Sequence, residues 1–437
     1  MPIPQILILG GGFAGVAVAR RLEARLRERE ASITLVSRDN FTLFTPMLPE
    51  VCSGGIETRH IVSPVRGQLE RTQYVLGEIV RIDLDAKRVE LQHTITGTTM
   101  TLSFDHLVLA LGSVTSTFNI PGVAEHSLPL KTIEDAETLR NRIIATLELA
   151  DVAVDPAERA RLLSYAVVGG GYTGCEAVGE LSDLFRSITK YYKTIRQEEI
   201  KVWLVEAGKK LLPDLPERMG EYTTEHLRDR GIRLEIGDGV SLVDENGITL
   251  QSGRRIETAT VIWSAGVRPA PAVLDLPVEH ARNGGLFTER DMQVRGRPGV
   301  WALGDCAWIP TAKADCWYPP TAQHAIREGP ALADNIIATL RNEPTKPFNF
   351  TALGTMASLG GRRGVVAFPN GFILTGFLAW VLWRTYYLAR LPGIDRRLRV
   401  TFDWTLDLFF SRDIAEFRVY TQRAHHSAAA DAGLVPK

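Results

Sequence analysis

Two short glycine runs hold the residues with the clearest chemical use. Gly10-Gly11-Gly12-Phe13-Ala14-Gly15 and Gly169-Gly170-Gly171-Tyr172-Thr173-Gly174 both fit G-x-G-x-x-G. The first glycine of such a run makes a tight turn, the second lets a pyrophosphate reach the backbone, and the third lets helix and strand pack closely. Free N–H groups and the positive dipole end at the following helix N-terminus then face the phosphates. One match is a weak signal, because glycine turns are common. Two matches, each after an apolar run and before a helix, predict two dinucleotide sites.

A carboxylate closing the strand after such a helix accepts a ribose 2′-hydroxyl and repels a 2′-phosphate. In the second unit that residue is Glu206, 32 residues past Gly174. It predicts NADH over NADPH; a solvated strand-end glutamate would look the same. In the first unit Ser37 stands at the matching place, followed by Arg38 and Asp39. Serine bonds a ribose more weakly than a carboxylate does, and Arg38 has reach to an adenine or a phosphate.

These residues need strands and helices to hold them. Gln5–Leu9 reads as a buried parallel strand, 13–29 as a helix with Val16, Ala19, Leu22 and Leu26 on one face, and 33–36 as the next strand. The pattern recurs with a strand at 165–168, a longer crossover helix around 181–198, and a strand at 201–205. Runs at 104–110, 260–264 and 299–302 read as further strands, each ending in a small-residue turn that lets a ligand approach the backbone. The fold class is α/β with two Rossmann-like dinucleotide-binding domains.

Composition narrows the function further. The chain has 437 residues, 45% hydrophobic and 23% charged, with net charge −1, so nothing in its charge favours nucleic acid. Cys52, Cys175, Cys306 and Cys316 form neither a C-x-x-C pair nor a metal cluster, and no metal is expected. Free thiols and the lack of a cleavable leader suggest a reducing, cytoplasmic setting. Between Phe372 and Phe410 lie ten of the chain's 34 aromatic residues, interleaved with Arg384, Arg390, Arg396, Arg397 and Arg399. That mixture reads as amphipathic helices lying in a bilayer surface, with Trp at headgroup level and Arg384 snorkelling outward. Docking on the core, or on a second subunit in a homodimer, would produce a similar pattern. The tail after Gln422 is Ala-rich and reads as frayed.

With these features in place, the sequence resembles the two-dinucleotide flavoproteins, and within them the type II NADH dehydrogenases, the non-pumping NADH:quinone oxidoreductases. The resemblance rests on the two cradles, Ala110-Leu111-Gly112, Phe44 to Pro49, Gly169 to Glu180, Val261 to Val267, Leu303 to Ala307, Pro320 to Gln323, Met356 to Gly360 and Gly376 to Trp380. It covers roughly 3–410. It implies FAD in the first unit, bound by Gly10, Gly12, Phe13, Ala14, Gly15, Ser37, Arg38, Thr45, Pro46, Val80, Ala110, Gly112, Gly304, Asp305 and Ala322. Thr45 and Pro46 would lie near the isoalloxazine, Val80 at the adenine, and Asp305 at the ribityl or pyrophosphate end. It implies NADH in the second unit, on Gly169, Gly171, Tyr172, Thr173, Gly174, Glu206, Ala265 and Gly266. Glu176 would sit near the nicotinamide and Gln323 at the quinone end of the flavin, as the two catalytic residues.

Other readings of the same residues stay open. Asp305 also reads as a helix N-cap, Gln323 as a surface polar residue, and Glu176 as a complement to the helix dipole. The implied domains are 1–120 with 270–345 for FAD, 121–269 for NADH, and 346–437 for membrane association. The implied partners are a membrane quinone and the cytoplasmic bilayer face. The chain departs from the family at Ile326 and Arg327, where a second Gln or His is usual, and at Leu353, where lysine is usual. Hydride transfer asks little of side chains beyond alignment, so no catalytic triad is expected. Sulfide:quinone oxidoreductases, single-cysteine NADH oxidases or peroxidases, and a non-turnover NADH sensor share much of this layout. The first two need cysteines at the flavin.

Overall fold

The structure is a computed structural model that describes residues 3–416, so the stretch after Gln422 lies outside it. Five parallel strands form the first sheet, in the order Val300–Ala302, His106–Leu109, Gln5–Leu9, Ser32–Ser37, Gln73–Leu76. Ile6, Leu7, Ile8 and Leu9 are all buried. A continuous apolar run, rather than an alternating one, is what a strand covered on both faces requires. The second sheet repeats the plan with Leu128–Pro129, Thr260–Trp263, Ser164–Val168, Lys201–Glu206 and Arg233–Ile236, again parallel.

The repetition extends beyond the glycine runs. Each half also carries a three-stranded antiparallel sheet, at Glu78–Asp83, Arg88–Gln92, Thr99–Ser103 and at Val240–Asp244, Gly247–Leu250, Arg255–Glu257. Ser113–Thr115 pairs antiparallel with Val267–Pro269 and carries the chain between the two halves.

Several element ends differ from the sequence expectation. The first cradle helix runs Phe13–Arg25, not to 29, because Leu26 turns to extended backbone and Arg29 takes φ +64°. The crossover helix expected around 181–198 is Tyr172–Ile188, followed by two single turns at Thr189–Tyr191 and Gln197–Glu199. Thr189, Tyr191, Tyr192 and Thr194 crowd that stretch with side chains that are stiff in a helix. Arg159 holds it instead, donating to the Thr194 carbonyl (2.8 Å) and to Glu199 (2.9 Å).

The C-terminal region is not helical throughout. A meander of Thr355–Ser358, Gly364–Ala367 and Ile373–Gly376 precedes helices at Phe377–Arg390 and Ile394–Leu406. The inner faces of these helices, with Leu391 between them, join the core of the second half: Trp383, Leu391, Val400 and Trp404 pack there with Leu181, Leu184 and Phe185. Their outer faces expose Phe377, Leu378, Ile394, Leu398, Phe402 and Leu406. The expected snorkelling is therefore corrected. Trp383 and Trp404 point inward, and Arg384 lies between the Trp380 and Trp404 rings (4.3 and 4.4 Å), 3.4 Å from Glu50. A buried carboxylate needs a partner more than the surface needs a cation. Among the described residues no helix is long and apolar enough to cross a membrane.

Candidate functional site

The two glycine turns share one backbone geometry. Gly10 and Gly169 take φ +116° and +109°, and each donates its N–H to the last strand residue but one (Val36 and Val205 carbonyls, both 2.8 Å). A Cβ on Gly15 would lie 1.9 Å from the Gly10 carbonyl oxygen, and one on Gly174 would lie 1.8 Å from that of Gly169. Those glycines are demanded by packing. A Cβ on Gly12 or Gly171 would meet nothing within 4 Å. There the glycine keeps space open in front of a helix N-terminus, where a phosphate fits.

An open cleft of about 400 Å³ lies over the first turn. Gly12, Phe13, Ala14, Ser37, Arg38, Thr45, Ala110, Gly112, Gly304, Asp305 and Ala322 all line it. It sits at the C-terminal ends of the strands, where the strand order reverses beside Gln5–Leu9, the usual place for a ligand in a doubly wound sheet. A larger cleft of about 750 Å³ lies between the first cradle helix and the turn before Ile394, away from both glycine turns, with charges of both signs. Gly10 and Gly15 underlie the near turn. Pro46 is not among the lining residues, and Val80 lies outside the lining too, exposed at a register irregularity between Ile79 and Arg81. Such a bulge frees one residue's backbone from the ladder.

Asp305 faces into this cleft with partners that sequence reasoning missed. It accepts a hydrogen bond from the Ser113 hydroxyl (2.6 Å), and Lys131 Nζ stands 2.9 Å from that hydroxyl and 3.6 Å from the carboxylate. Thr132 and Asp135 form a reciprocal N-cap on the Ile133–Val152 helix, which fixes Lys131 at the rim. The Thr-x-x-Asp spacing at 132–135 is the signal that would have found it. Glu328, buried in the Ala322–Leu340 helix, accepts from the Gly304 N–H (2.7 Å), and burial lifts its pKa to about 7. Gly329 lets that helix close on Ala17 of the first cradle helix, and Arg21 with Asp334 clamps the pair.

At the second turn, Glu206 ends its strand and accepts from the Gly170 N–H (2.5 Å) and the Gly208 N–H (2.5 Å). A carboxylate retains free lone pairs after two such bonds, so a ribose hydroxyl can still be bound. Ala265 and Gly266 follow the Thr260–Trp263 strand and pass under Gly169: a Cβ there would lie 2.8 Å from the Ala265 N. Tyr172 and Thr173 open the helix.

The two residues expected to be catalytic are both tied to the C-terminal region. Gln323 donates from Nε2 to the Gly354 carbonyl (3.1 Å) and accepts at Oε1 from the Leu353 N–H (2.6 Å). Leu353, the departure noted above, thus contributes backbone rather than a cation. Arg327, another departure, donates to the Gln323 carbonyl and lies over the Phe350 ring (4.6 Å). Glu176 is buried away from the first cleft, and burial raises its pKa to about 8. Its partners are the Trp383 indole and the Ser358 N–H.

The cysteines do not suit thiol chemistry. Cys52, Cys175 and Cys306 are buried, and burial pushes their thiols up, Cys52 to about 12 and Cys306 to about 11. The thiolate is the reactive form, and these sites disfavour it. Cys316 is exposed in a separate turn.

The comparisons agree with the geometry. Residues 4–329 match the pyridine nucleotide-disulphide oxidoreductase family, and residues 353–413 match the NDH2 C-terminal domain. The chain is 31% identical over 420 residues to a probable NADH dehydrogenase of Dictyostelium discoideum, spanning 94% of this chain and 91% of that one. It is 31% identical over 423 residues to the type II NADH:quinone oxidoreductase Ndh of Mycobacterium tuberculosis, spanning 93% and 89%. The fold matches NDH2 from Plasmodium falciparum, solved in complex with NADH, with a TM-score of 0.86 at 23% identity over 94% of this chain and 99% of that one. A sulfide:quinone oxidoreductase from Aquifex aeolicus shares the fold more loosely, with a TM-score of 0.70 at 18% identity over 93% and 95%. The chain belongs to the type II NADH:quinone oxidoreductases, within the pyridine nucleotide-disulphide oxidoreductase family.

Proposed function

We propose that this protein oxidises NADH through FAD and reduces a quinone at the cytoplasmic membrane surface, without pumping protons. The observation that carries the reading is the pair of matching glycine turns, one under a cleft whose rim holds Asp305, Ser113 and Lys131. FAD, when bound, supplies the chemistry: it takes a hydride equivalent from NADH and gives two electrons to the acceptor. The Gly12 turn leaves room for its pyrophosphate, with Ser37, Arg38 and Val80 toward the adenine side. Asp305 would accept from a ribityl hydroxyl, Thr45, with Pro46 next to it in the chain, would lie by the ring, and Ala110, Gly112, Gly304 and Ala322 would let it approach backbone.

NADH lies on Gly169, Gly171, Tyr172, Thr173 and Gly174, with its ribose on Glu206, its nicotinamide near Ala265, Gly266 and Glu176, and a preference over NADPH. Gln323 fixes the 353–354 backbone at the acceptor end. The division into 1–120 with 270–345, 121–269 and 346–437 follows the two sheets and the meander. The exposed stripe Ile394, Leu398, Phe402 and Leu406, continued by Leu408, Phe409 and Phe410, lies in the bilayer interface. A quinone dissolved in the bilayer then reaches the acceptor end without crossing water.

The test is direct. The purified protein should show a flavin spectrum and oxidise NADH with quinones much faster than with oxygen, sulfide or disulfides. Quinone-independent turnover of sulfide or disulfide would reject the reading. A flavin that NADH reduces once and no acceptor reoxidises would identify a sensor.

A further inference from the structure

Glu176 leaves the second cradle helix inward, and one of its oxygens, Oε1, accepts two hydrogen bonds: from the Ser358 N–H (3.1 Å) and from the Trp383 indole N–H (2.9 Å). Neither donor belongs to the two dinucleotide-binding sheets. Ser358 ends the first strand of the C-terminal meander, and Trp383 lies within the Phe377–Arg390 helix. Trp383 is 1% exposed, whereas Phe377 and Leu378 of the same helix are exposed. Four residues on, Tyr387 packs edge-on against Trp383 (4.9 Å) and against Phe44 (6.0 Å), and Phe44 packs edge-on against Phe13 of the first glycine turn (5.8 Å). One helix of the C-terminal region therefore touches the second cradle through Trp383 and reaches the first through Tyr387.

We propose that Trp383 is a positioning residue for hydride transfer: its indole N–H, with the Ser358 N–H, fixes the Glu176 carboxyl at the nicotinamide end of the second cradle. This rests on the reading above that places Glu176 near the nicotinamide. An indole N–H donates and cannot accept, so it commits Oε1 and orients the other oxygen. Without that donor, a buried carboxyl rotates toward another partner or holds its proton more tightly.

Among the described residues the surroundings offer no free cation, and the other donors close by are hydroxyls, Tyr172 and Ser358, buried without a partner of their own. Tyr172, Cys175 and Glu180 face Glu176 from its own helix, Glu50 from the helix at Leu48–Cys52, and Tyr387 from the C-terminal helix. The cations in this interior are engaged elsewhere, Arg384 with Glu50 and Arg412 with Glu180. Burial already lifts the Glu176 pKa, and the two donors pull it down. Loss of the indole therefore moves it further up.

The experiment uses full-length, FAD-loaded protein with Trp383→Phe and Glu176→Gln, singly and together. It reads KM for NADH across pH with a water-soluble quinone, and the carboxylic C=O infrared band assigned by its loss in Glu176→Gln. Trp383→Phe should raise KM for NADH about fivefold to tenfold, as loss of one hydrogen bond of about 1 kcal/mol or slightly more implies. The same loss moves the Glu176 inflection up by about 0.7 to one pH unit. The C=O band should shift, KM for quinone should stay at the wild-type value, and adding Trp383→Phe to Glu176→Gln, which no longer titrates, should move the pH profile no further. If Trp383→Phe lowers only Tm or flavin content, leaving inflection, band and NADH KM in place, the proposal is overturned. If Glu176→Gln itself leaves NADH kinetics and the pH profile untouched, Glu176 is not at the nucleotide, and both readings fall. Should Trp383→Phe not fold, benzothienylalanine at 383 keeps the shape without the N–H, and the same outcomes decide.

Discussion

Gly12 and Gly15 are three residues apart and answer to different forces. Gly15 has a backbone oxygen where its side chain would go; Gly12 has open space. Gly15→Ala should therefore overpack the turn and cost about 1–3 kcal/mol of stability, read as a lower Tm in the FAD-free protein. Gly12→Ala should keep that Tm and instead lose FAD on gel filtration, because the methyl occupies the phosphate's place. Equal Tm losses in both variants would refute the assignment. The proposed nucleotide preference rests on Glu206. Glu206→Ala should cut the NADH-over-NADPH ratio of kcat/KM by about tenfold, the worth of one charge-assisted bond near 1.4 kcal/mol. An unchanged ratio would place the ribose elsewhere.

Buried carboxyls set a pH dependence, with Glu180 also raised by burial alongside Glu176 and Glu328. Glu176 and Glu328 have folded pKa values of about 8 and about 7, above the ordinary 4.5. Between 4.5 and those values the folded chain holds protons that the unfolded chain has released, so stability falls as pH rises through that window. Glu328→Gln keeps an acceptor for the Gly304 N–H without the charge. It should gain roughly 2–4 °C in Tm over wild type at pH 8 and show no gain near pH 4.5. A gain that grows toward acid would reverse the sign and contradict the account.

The glycine runs, Glu206 and Asp305 were legible in the sequence as places in a local pattern: two turns, a strand end, and a residue after an apolar strand and a glycine. Ser113, Lys131 and Trp383 were not, because their partners lie 192, 174 and 207 positions away along the chain. No local pattern records a contact of that range.

At the scale of elements, the two C-terminal helices were recognisable by their aromatic and basic mixture, but not which way the rings faced. Periodicity separates two faces without saying which one is inside. The inner face is decided by Glu50, Glu176 and Glu180, three buried carboxyls whose partners are Trp404 (2.7 Å), Trp383 and Arg412 (3.1 Å). Arg412 also donates to Asp407, so it ties the chain after the second helix to the second cradle helix. Arg412→Ala leaves Glu180 buried without its cation and should cost about 3–5 kcal/mol. It should expose the Pro392-Gly393 connection to limited proteolysis before the rest of the chain unfolds. Cleavage no faster than in wild type would show that Arg412 is not the latch.

The outer face makes a separate prediction. Leu398→Glu with Phe402→Glu should abolish co-flotation with liposomes while leaving NADH oxidation by a water-soluble quinone within about twofold of wild type, as expected for exposed positions away from the site. Retained flotation would move the membrane contact off this stripe.

At the scale of the molecule, the duplication explains both the architecture and the chemistry. Each half is a five-stranded parallel sheet with a three-stranded antiparallel sheet beside it, and each presents its glycine turn at the same strand end. Two such halves joined by the Ser113–Thr115 and Val267–Pro269 crossing can bring two dinucleotides face to face. The C-terminal region is the addition that holds both proposed catalytic residues, Gln323 and Glu176, through its own backbone and side chains. The central claim is that a hydride taken from NADH leaves as two electrons on a quinone. Anaerobic stopped-flow absorbance tests it in a single turnover. One equivalent of NADH should bleach the flavin band, and one equivalent of quinone should then restore it within the time of a steady-state turnover. A band that bleaches but recovers only with oxygen, sulfide or a disulfide would contradict the account.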